Sequence, residues 1–409
     1  MTRMVVITRA WPYPPGEQFV DGEAPFWVRD GLETVVMPWW ADGQPRLVPA
    51  GLQVDLTLTR RSRADDLRAA AEAPLLEQAR QEIAALRADG RLDKAQLANV
   101  IRTTRGALVA RDRLRGWIRR NGPIDVLYSY WFDSWTLGAL LLKGEGIGRV
   151  ATRVHGYDLY EERHPAGHHA LRRLLVDRLD LLLPVSRAGG EHAVQTYGID
   201  ESVVHHAPLG VDLPEQLCQP SPAGQLNLLS VASCLPVKRI DRLVQATQLL
   251  AQRHPELQVR WTHLGGGQLH DQLVNQAGAQ QAENLTIELP GQVDHDRVRS
   301  FLREQPVDLF VNTSESEGVP VSVMEAMAAG VPAMAPRVGA LDEIIPGDGP
   351  AGHLFGPAPT TEEIAEALWQ WRERSKSAEA RDAARQVIAH HYERAANHTR
   401  LMHLLLPEA

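Results

Sequence analysis

Short apolar segments alternate with longer helix-forming stretches along most of the chain. Each apolar segment has the length of a buried strand and is bounded by turn-forming residues. Such an alternation is typical of parallel sheets whose faces are covered by helices. The pattern predicts an α/β fold with strands at residues 4–8, 124–130, 149–154, 181–184, 203–207, 226–231, 258–264, 285–288, 309–312 and 332–335.

A chain of 409 residues is too long for one ordinary hydrophobic core and suits two domains of similar size. Residues 214–225 contain three prolines and a glycine, which is the composition of a linker. Residues 64–120 are rich in Ala, Leu and Arg and predict a helical insertion in the first domain. We expect a first α/β domain at 1–213, a linker at 214–225, a second α/β domain at 226–385 and a C-terminal helix at 386–409 that returns to the first domain.

The composition predicts a globular protein of a reducing compartment. Hydrophobic residues make up 44% of the chain. Cys218 and Cys234 are the only cysteines, and they provide neither a disulfide framework nor a zinc ribbon. The apolar run at 4–7 is too short for a signal peptide, and no stretch approaches the roughly 18 apolar residues that a membrane span needs. We therefore expect a cytoplasmic protein.

The charge distribution bears on partners. Residues 1–213 contain 27 of the 43 basic and 27 of the 51 acidic residues, which leaves 16 basic and 24 acidic residues beyond this point. The whole excess of −8 therefore lies in the second half, and we expect no nucleic-acid partner. Seven arginines crowd between residues 102 and 120, with Leu108, Leu114 and Trp117 between them. This segment predicts either a solvated arginine-rich helix face or a basic amphipathic helix on anionic lipid.

Residues 316–332 join a polar turn to the start of a helix. Pro320 suits the first helical position because it lacks the amide hydrogen that this position leaves unpaired, and the Gly-Val-Pro sequence at 330–332 ends the helix. The segment therefore predicts a helix at about 320–329. The free amides at its start and the positive end of its dipole form a natural seat for a phosphate. These amides belong to Gly318, Val319 and Val321.

Two glutamates flank this phosphate seat. A carboxylate accepts hydrogen bonds from both hydroxyls of a vicinal diol, so Glu317 and Glu325 could hold a sugar ring and a ribose. The alternative is an Ala-rich core helix whose glutamates are merely solvated. The pattern predicts a sugar-nucleotide site, and the alternative remains open at this stage.

Five segments, in their order along the chain, resemble motifs of the family-four retaining glycosyltransferases (group 1), which have the GT-B fold and use nucleotide-diphosphate sugars. The likeness extends over most of the chain. The five segments are 153–158, which resembles the N-domain histidine motif; 208–212, which resembles the end of the N-terminal domain; 230–239, which resembles the phosphate-binding lysine loop; 264–267, which resembles the strand-to-loop glycines; and 316–332, which resembles the paired-glutamate motif.

The resemblance implies two Rossmann-like domains that face each other across a cleft, with catalytic roles for three residues. Lys238 would stabilise the leaving diphosphate, while His155 and Glu317 would hold the transferred sugar. Nine residues would bind the donor: Gly16, Arg239, Gly266, Gln292, Gly318, Val319, Pro320, Val321 and Glu325.

One residue departs from the family pattern. Ser233 stands where the family usually has an arginine five residues before the lysine, and Arg239 is the nearest substitute. The resemblance implies no metal and no other cofactor. The Asp-His-Asp sequence at 294–296 spells the metal-binding pattern of the other major glycosyltransferase fold, but it precedes a helix and is expected to cap it.

The expected function is retaining transfer of a sugar from a nucleotide-diphosphate sugar to a hydroxyl of a glycan, a lipid-linked acceptor or a small molecule. Peripheral contact with the inner face of the membrane is the option that the arginine-rich helix leaves open. Two alternatives remain: a sugar-nucleotide epimerase of the same fold, and a non-catalytic sugar-nucleotide-binding partner.

Overall fold

The computed structural model describes residues 1–14, 16–60, 62–279, 282–347 and 349–406. The chain divides into two compact units. The first contains residues 1–208 together with the chain from 397 onwards, and the second contains residues 209–396. The chain thus leaves the first unit after Pro208, whereas the sequence indicated 213, and it returns after Ala396, whereas the sequence indicated 386.

The first unit is built on one six-stranded parallel sheet. Its strands are β1 (Thr2–Thr8), β2 (Leu32–Pro38), β3 (Leu52–Val54), β4 (Ile124–Ser129), β5 (Ile147–Val154) and β6 (Leu181–Pro184). The strand order is β3-β2-β1-β4-β5-β6. Alternate residues of β1 enter different hydrophobic clusters, Val5 and Ile7 in one, Met4 and Val6 in the other. Both faces of this sheet are therefore covered, as in most parallel sheets.

In the described part of the first unit, six α-helices lie before the chain crosses to the second unit. They are α1 (Arg63–Glu72), α2 (Glu77–Ala88), α3 (Lys94–Asn121), α4 (Ser134–Leu141), α5 (Arg172–Leu175) and α6 (Arg187–Tyr197). The predicted insertion at 64–120 consists of α1, α2 and α3.

Helix α3 carries the arginine-rich segment. Its Leu108, Leu114 and Trp117 are buried, so these side chains are not available to a lipid surface. Arg111 forms a two-bond ion pair with Glu72 on α1. Membrane contact by this helix stays a prediction. It would have to depend on attraction between the arginines and anionic lipid, because Leu108, Leu114 and Trp117 are buried. Within the described ranges, no helix is both long and apolar enough to cross a bilayer.

The second unit repeats the architecture with another six-stranded parallel sheet. Its strands are β7 (Gln225–Val231), β8 (Gln258–Leu264), β9 (Leu285–Gly291), β10 (Leu309–Val311), β11 (Ala333–Pro336) and β12 (Gly352–Phe355). The strand order is β12-β11-β10-β7-β8-β9. The helices are α7 (Ile240–Arg253), α8 (His270–Gly278), α9 (His295–Glu304), α10 (Val321–Ala328), α11 (Leu341–Ile344), α12 (Thr361–Trp371) and α13 (Ala378–His391).

The last helix, α14 (Arg394–Leu405), carries the chain back to the first unit. Leu401, Met402 and Leu405 are buried in the cluster that contains Met4 and Val6 of β1. Helix α13, by contrast, belongs wholly to the second unit. The returning segment is therefore shorter than the predicted 386–409.

The predicted linker at 214–225 packs onto the second unit. Ser221 donates from its amide and its hydroxyl to Asp308, at 2.8 and 2.6 Å, and Asp308 is fully buried. The amide of Cys218 donates to the carbonyl of Ala329. The prolines of residues 214–225 prevent regular secondary structure, but these hydrogen bonds hold the segment against the rest of the second unit.

The strand predictions differ from the structure in both sheets. Three strands were not predicted: β3 and β12, which lie at sheet edges, and β2, which lies between β3 and β1. The predicted strand at 203–207 runs beside β6 but forms only one isolated bridge, between Val204 and Leu182. The amides of His205 and Ala207 donate to the carbonyls of Leu182 and Pro184, so this segment lies along β6 without being assigned as a strand.

Candidate functional site

In the second unit, the predicted residues follow the carboxyl ends of neighbouring strands. Lys238 ends a short 3-10 turn after β7, and Glu317 follows β10, the strand that pairs with β7. Open parallel sheets bind ligands at this edge, where the strand order reverses. The topology therefore brings these two side chains together although 79 positions separate them.

Lys238 and Glu317 form a direct ion pair. The Lys238 ammonium donates to both carboxylate oxygens of Glu317, at 2.7 and 2.8 Å. The same carboxylate accepts hydrogen bonds from the Asn312 amide at 2.9 Å and the Ser314 hydroxyl at 2.6 Å. The Glu317 side chain is only 8% exposed, whereas that of Lys238 is 22% exposed. The ammonium therefore neutralises a nearly buried carboxylate and still reaches solvent.

The turn before α10 differs slightly from the prediction. Pro320 has ψ of 104°, which is extended, so it is the N-cap residue and the helix begins at Val321. The Ser322 hydroxyl donates to the carbonyl of Val231 at the end of β7 and so fixes the first turn against the sheet. Gly339 packs closely against this turn, since a Cβ at position 339 would lie 2.1 Å from the Glu317 carbonyl oxygen. The start of α10 is thus held at the carboxyl edge of the sheet.

Glycines bring Gly266 and Gln292 into contact. A Cβ on Gly265 would lie 1.9 Å from the carbonyl oxygen of Ala232, and one on Gly266 would lie 3.0 Å from the Gln292 amide nitrogen. The Gly266 amide lies 3.4 Å from Oε1 of Gln292. Two predicted donor-binding residues, after β8 and β9, are therefore neighbours because side chains are absent between these loops.

Arg239, the predicted substitute for the cation absent at Ser233, is held by carboxylates of the protein. Its guanidinium donates to both oxygens of Asp241 at 3.1 Å and also to Glu315. These bonds raise its pKa above the usual value. Donor binding by Arg239 stays a prediction, and a ligand would have to compete with these carboxylates or use the remaining N–H donors of the guanidinium.

Glu325 lies on α10, about one turn after the helix begins at Val321. Its Oε1 atom lies 2.6 Å from Nε2 of His295 and 3.8 Å from Nε of Arg299, both on α9. The Glu325 side chain is 10% exposed. A cavity of about 210 Å³ borders Glu325 and Arg299. The second glutamate of the motif is therefore partly buried beside two basic side chains.

His155 lies in the first unit, directly after β5. Its ring contacts those of Trp131, Tyr130 and Phe19, with centroids 4.5, 5.3 and 6.2 Å away. Neither ring nitrogen has a hydrogen-bond partner in the described part of the chain. Burial, together with the charge of Arg153, holds the pKa of His155 well below its usual value. The imidazole is therefore neutral near pH 7, and both of its nitrogens are buried.

Gly16 lies in the loop after β1, where its φ of 84° favours glycine. Its neighbour Glu17 also has a positive φ, 55°, and is 5% exposed. The Glu17 carboxylate accepts bonds from the amides of residues 9–11 and from the Trp131 indole. The loop is thus folded around an internal carboxylate, and donor binding by Gly16 stays a prediction.

A buried ion pair supports the strand that carries His155. Arg153 and Glu23 are fully buried and paired, and the Tyr128 hydroxyl donates to Glu23 at 3.0 Å. Arg153 also donates to the carbonyls of Ala207 and Pro208, the last residues before the chain leaves the first unit. Arg153 is the first residue of the segment 153–158 that resembles the N-domain histidine motif, whereas no sequence pattern indicated Glu23.

Sequence reasoning missed several residues that contact the predicted ones. Asn312 and Ser314 precede Glu317 closely, so a search for donors to its carboxylate could have found them. The Asp-His-Asp sequence at 294–296 was interpreted as a helix cap. Asp294 is indeed the N-cap of α9, but its side chain makes no capping bond, and the central His295 contacts Glu325.

Comparison with known families agrees with this geometry. The model of the glycosyl transferases group 1 matches residues 219–387, and that of glycosyltransferase family 4 matches residues 45–215. The two matches meet between residues 215 and 219, shortly after the second unit begins at residue 209. The two halves of the chain are thus recognised separately, each with one unit.

Curated relatives match part of the chain. It is 28% identical over 262 residues to the MMP alpha-(1→4)-mannosyltransferase of Mycolicibacterium hassiacum, which covers 59% of this chain and 61% of that protein. It is 26% identical over 209 residues to the amylovoran biosynthesis glycosyltransferase AmsK of Erwinia amylovora, with 48% and 49% covered. The chain therefore spans about half to three fifths of the length of these relatives.

Solved structures match the whole chain. The lipopolysaccharide outer core galactosyltransferase WaaB superposes with a TM-score of 0.68 at 12% identity, covering 98% of this chain and 99% of that one. Anabaena Alr3699/HepE, solved in complex with UDP, superposes with a TM-score of 0.66 at 15% identity and 99% coverage of both chains. These likenesses show the GT-B fold. With both halves matched by the family models, the chain belongs to the group 1 glycosyltransferases of family 4.

Proposed function

We propose that the protein is a retaining glycosyltransferase that moves a hexosyl group from a nucleoside-diphosphate sugar to an acceptor hydroxyl. The observation that carries this proposal is the Lys238–Glu317 pair at the turn before α10. Lysine is rare in this chain, with four of the 43 basic residues. An ammonium is a compact point charge, which suits a single phosphate oxygen better than a guanidinium does.

In the proposed reaction, negative charge develops on the leaving diphosphate as its bond to the sugar breaks. Lys238 and the amides at the start of α10 stabilise that charge, since the first amides of a helix have no acceptor within it. Because these groups supply positive charge, we propose that the reaction needs no metal ion. The assistance of a donor phosphate oxygen to the acceptor hydroxyl is what the family resemblance implies, and it would make the reaction retaining.

The remaining residues would position the donor. The neutral imidazole of His155 and the carboxylate of Glu317 hold hydroxyls of the transferred sugar, while Glu325 holds the ribose diol. Gly266 would lie near the diphosphate and Gln292 beside the base. These roles are the ones that the family resemblance implies, and the hydrogen-bonding capacity of each polar side chain is compatible with its role.

Relatives indicate which substrates to test. HepE was solved with UDP, AmsK is an amylovoran biosynthesis enzyme, and the Mycolicibacterium relative is a mannosyltransferase. We therefore propose that the donor is a UDP- or GDP-hexose and that the acceptor is a growing glycan, free or lipid-linked. Polysaccharide assembly is the setting that these names share most closely.

The first experiment measures nucleoside diphosphate release from UDP- and GDP-hexoses, with and without glycan acceptors, in the presence of EDTA. We expect release that depends on the acceptor, and a product whose anomeric configuration by NMR matches that of the donor. An inverted product would overturn the retaining assignment. Epimerisation of the donor without acceptor would establish an epimerase instead, and binding of donors without release would indicate a non-catalytic partner.

A further inference from the structure

The Asp-His-Asp sequence at the start of α9 has no part in the reaction proposed above. Its central residue, His295, nevertheless contacts Glu325, which is proposed to bind the donor ribose. Nε2 of His295 lies 2.6 Å from Oε1 of Glu325. A carboxylate only accepts hydrogen bonds, so this distance requires a proton on Nε2. The imidazole therefore donates to Glu325.

Arg299 approaches the same atom from one turn further along α9. Its Nε lies 3.8 Å from Oε1 of Glu325, which is beyond hydrogen-bond distance. Its other end is drawn towards Asp212, which lies 3.6 Å from Nη2 and also pairs with Arg394 at 2.8 Å. Arg299 thus adds positive charge without fixing the carboxylate, and His295 provides the directional bond.

We propose that His295 is a positioning residue that holds the Glu325 carboxylate in the orientation in which it accepts the ribose hydroxyls of the donor. This inference rests on the proposed function. In the described part of the chain, Oε2 of Glu325 accepts no hydrogen bond. Since a carboxylate has about four lone-pair sites, one bond to Oε1 leaves enough sites for both hydroxyls of the diol.

The exposures of the two side chains agree with these roles. The Glu325 side chain is 10% exposed and that of His295 is 46% exposed. Removal of the imidazole would leave Glu325 with one charged neighbour at 3.8 Å and free to rotate. The carboxylate would then lose orientation before binding, and this loss weakens recognition of the ribose more than that of the phosphates.

The test measures binding of UDP, GDP and their 2′-deoxy analogues to the full chain by calorimetry. For the nucleotide that the wild type binds, we expect His295→Ala to weaken affinity about tenfold, while affinity for the 2′-deoxy analogue changes little. The preference for the ribose form should therefore largely disappear. His295→Gln should restore affinity to within about threefold, because its amide also donates a hydrogen bond. His390→Ala, an exposed histidine on α13, is the matched control.

Other results would overturn the proposal in distinct ways. Unchanged preference for the ribose form in His295→Ala, with a loss in Glu325→Gln, would show that Glu325 needs no positioning. Tighter binding by His295→Ala would show that the imidazole blocks the site. An unchanged affinity in Glu325→Gln would remove the ribose role itself, and failure of the wild type to bind either nucleotide would remove the proposed donor class. Thermal unfolding of each variant checks that it is folded.

Discussion

Replacement of Lys238 by Met separates the two effects of its ammonium. The ammonium lies 2.7 and 2.8 Å from the two oxygens of the Glu317 carboxylate, whose side chain is 8% exposed. Removing one partner of a buried pair costs about 3–5 kcal/mol. Glu317 keeps its bonds from Asn312 and Ser314 and the Lys238 side chain is 22% exposed, so we expect a cost at or just below the lower limit of this range, about 2–3 kcal/mol.

The second perturbation is Glu317→Gln. A neutral amide oxygen still accepts from Asn312 and Ser314, so the double variant Lys238→Met/Glu317→Gln no longer contains an uncompensated charge. We expect it to regain about 1–2 kcal/mol relative to Lys238→Met. Hydrogen exchange of the β7 and β10 amides measures these differences in the second unit directly, without assuming that both units unfold together.

Turnover should behave differently from stability. Loss of one group that stabilises the leaving diphosphate costs about 100- to 1000-fold in kcat. The double variant should remain as inactive as Lys238→Met although its stability recovers. The control is Lys376→Met, which removes a lysine that donates to the carbonyls of Pro222 and Gln225, away from the proposed site. Near-normal turnover by the double variant would refute the phosphate role and leave Lys238 as the counterion of Glu317.

Three further predictions address other parts of the protein. His168 donates to the carboxylates of Glu82 and Glu161, and these contacts raise its pKa to about 9. The stability that its charge contributes to the fold is therefore complete below pH 6.5 and is lost as the pH rises through 9. Urea unfolding of His168→Gln should show a loss of at most about 3 kcal/mol in the free energy of unfolding at pH 6 and little loss at pH 10. Gly339→Ala should abolish donor binding in calorimetry, whereas Gly347→Ala, with nearly the same φ and no neighbour, should bind normally. Nitrogen-15 NMR should show a neutral His155 imidazole at pH 6, and a protonated ring would contradict its burial.

Most inner strands could be predicted because they contain apolar or alternating segments, although the inner strand β2 was missed. β1 contains a buried apolar run at residues 4–7, and β8 begins with exposed Gln258 and Arg260 alternating with buried Val259 and Trp261. β3 and β12 have three and four residues and lie at sheet edges. Segments so short show no period, so sequence patterns cannot separate them from loops.

The site could be predicted where its chemistry is contiguous. Glu317, the helix start and Glu325 lie within nine residues, so local rules place them together. Their partners come from elsewhere: Lys238 from the loop after β7 and His295 from the start of α9. Those pairs depend on which strands are neighbours and on how α9 faces α10, and only tertiary packing determines this.

Charge compensation in the second unit has a consequence for the order of recognition. Glu317 is neutralised by Lys238, and Arg239 by Asp241 and Glu315. A free sugar meets a Glu317 whose carboxylate is already occupied by an ammonium. In the proposed site, a diphosphate would compete for that ammonium, and the Glu317 carboxylate would then be able to accept hydrogen bonds from the sugar hydroxyls. A sugar nucleotide carries both a diphosphate for Lys238 and hydroxyls for Glu317. Its binding free energy should therefore be more favourable than the sum of the binding free energies of the free sugar and the free nucleoside diphosphate.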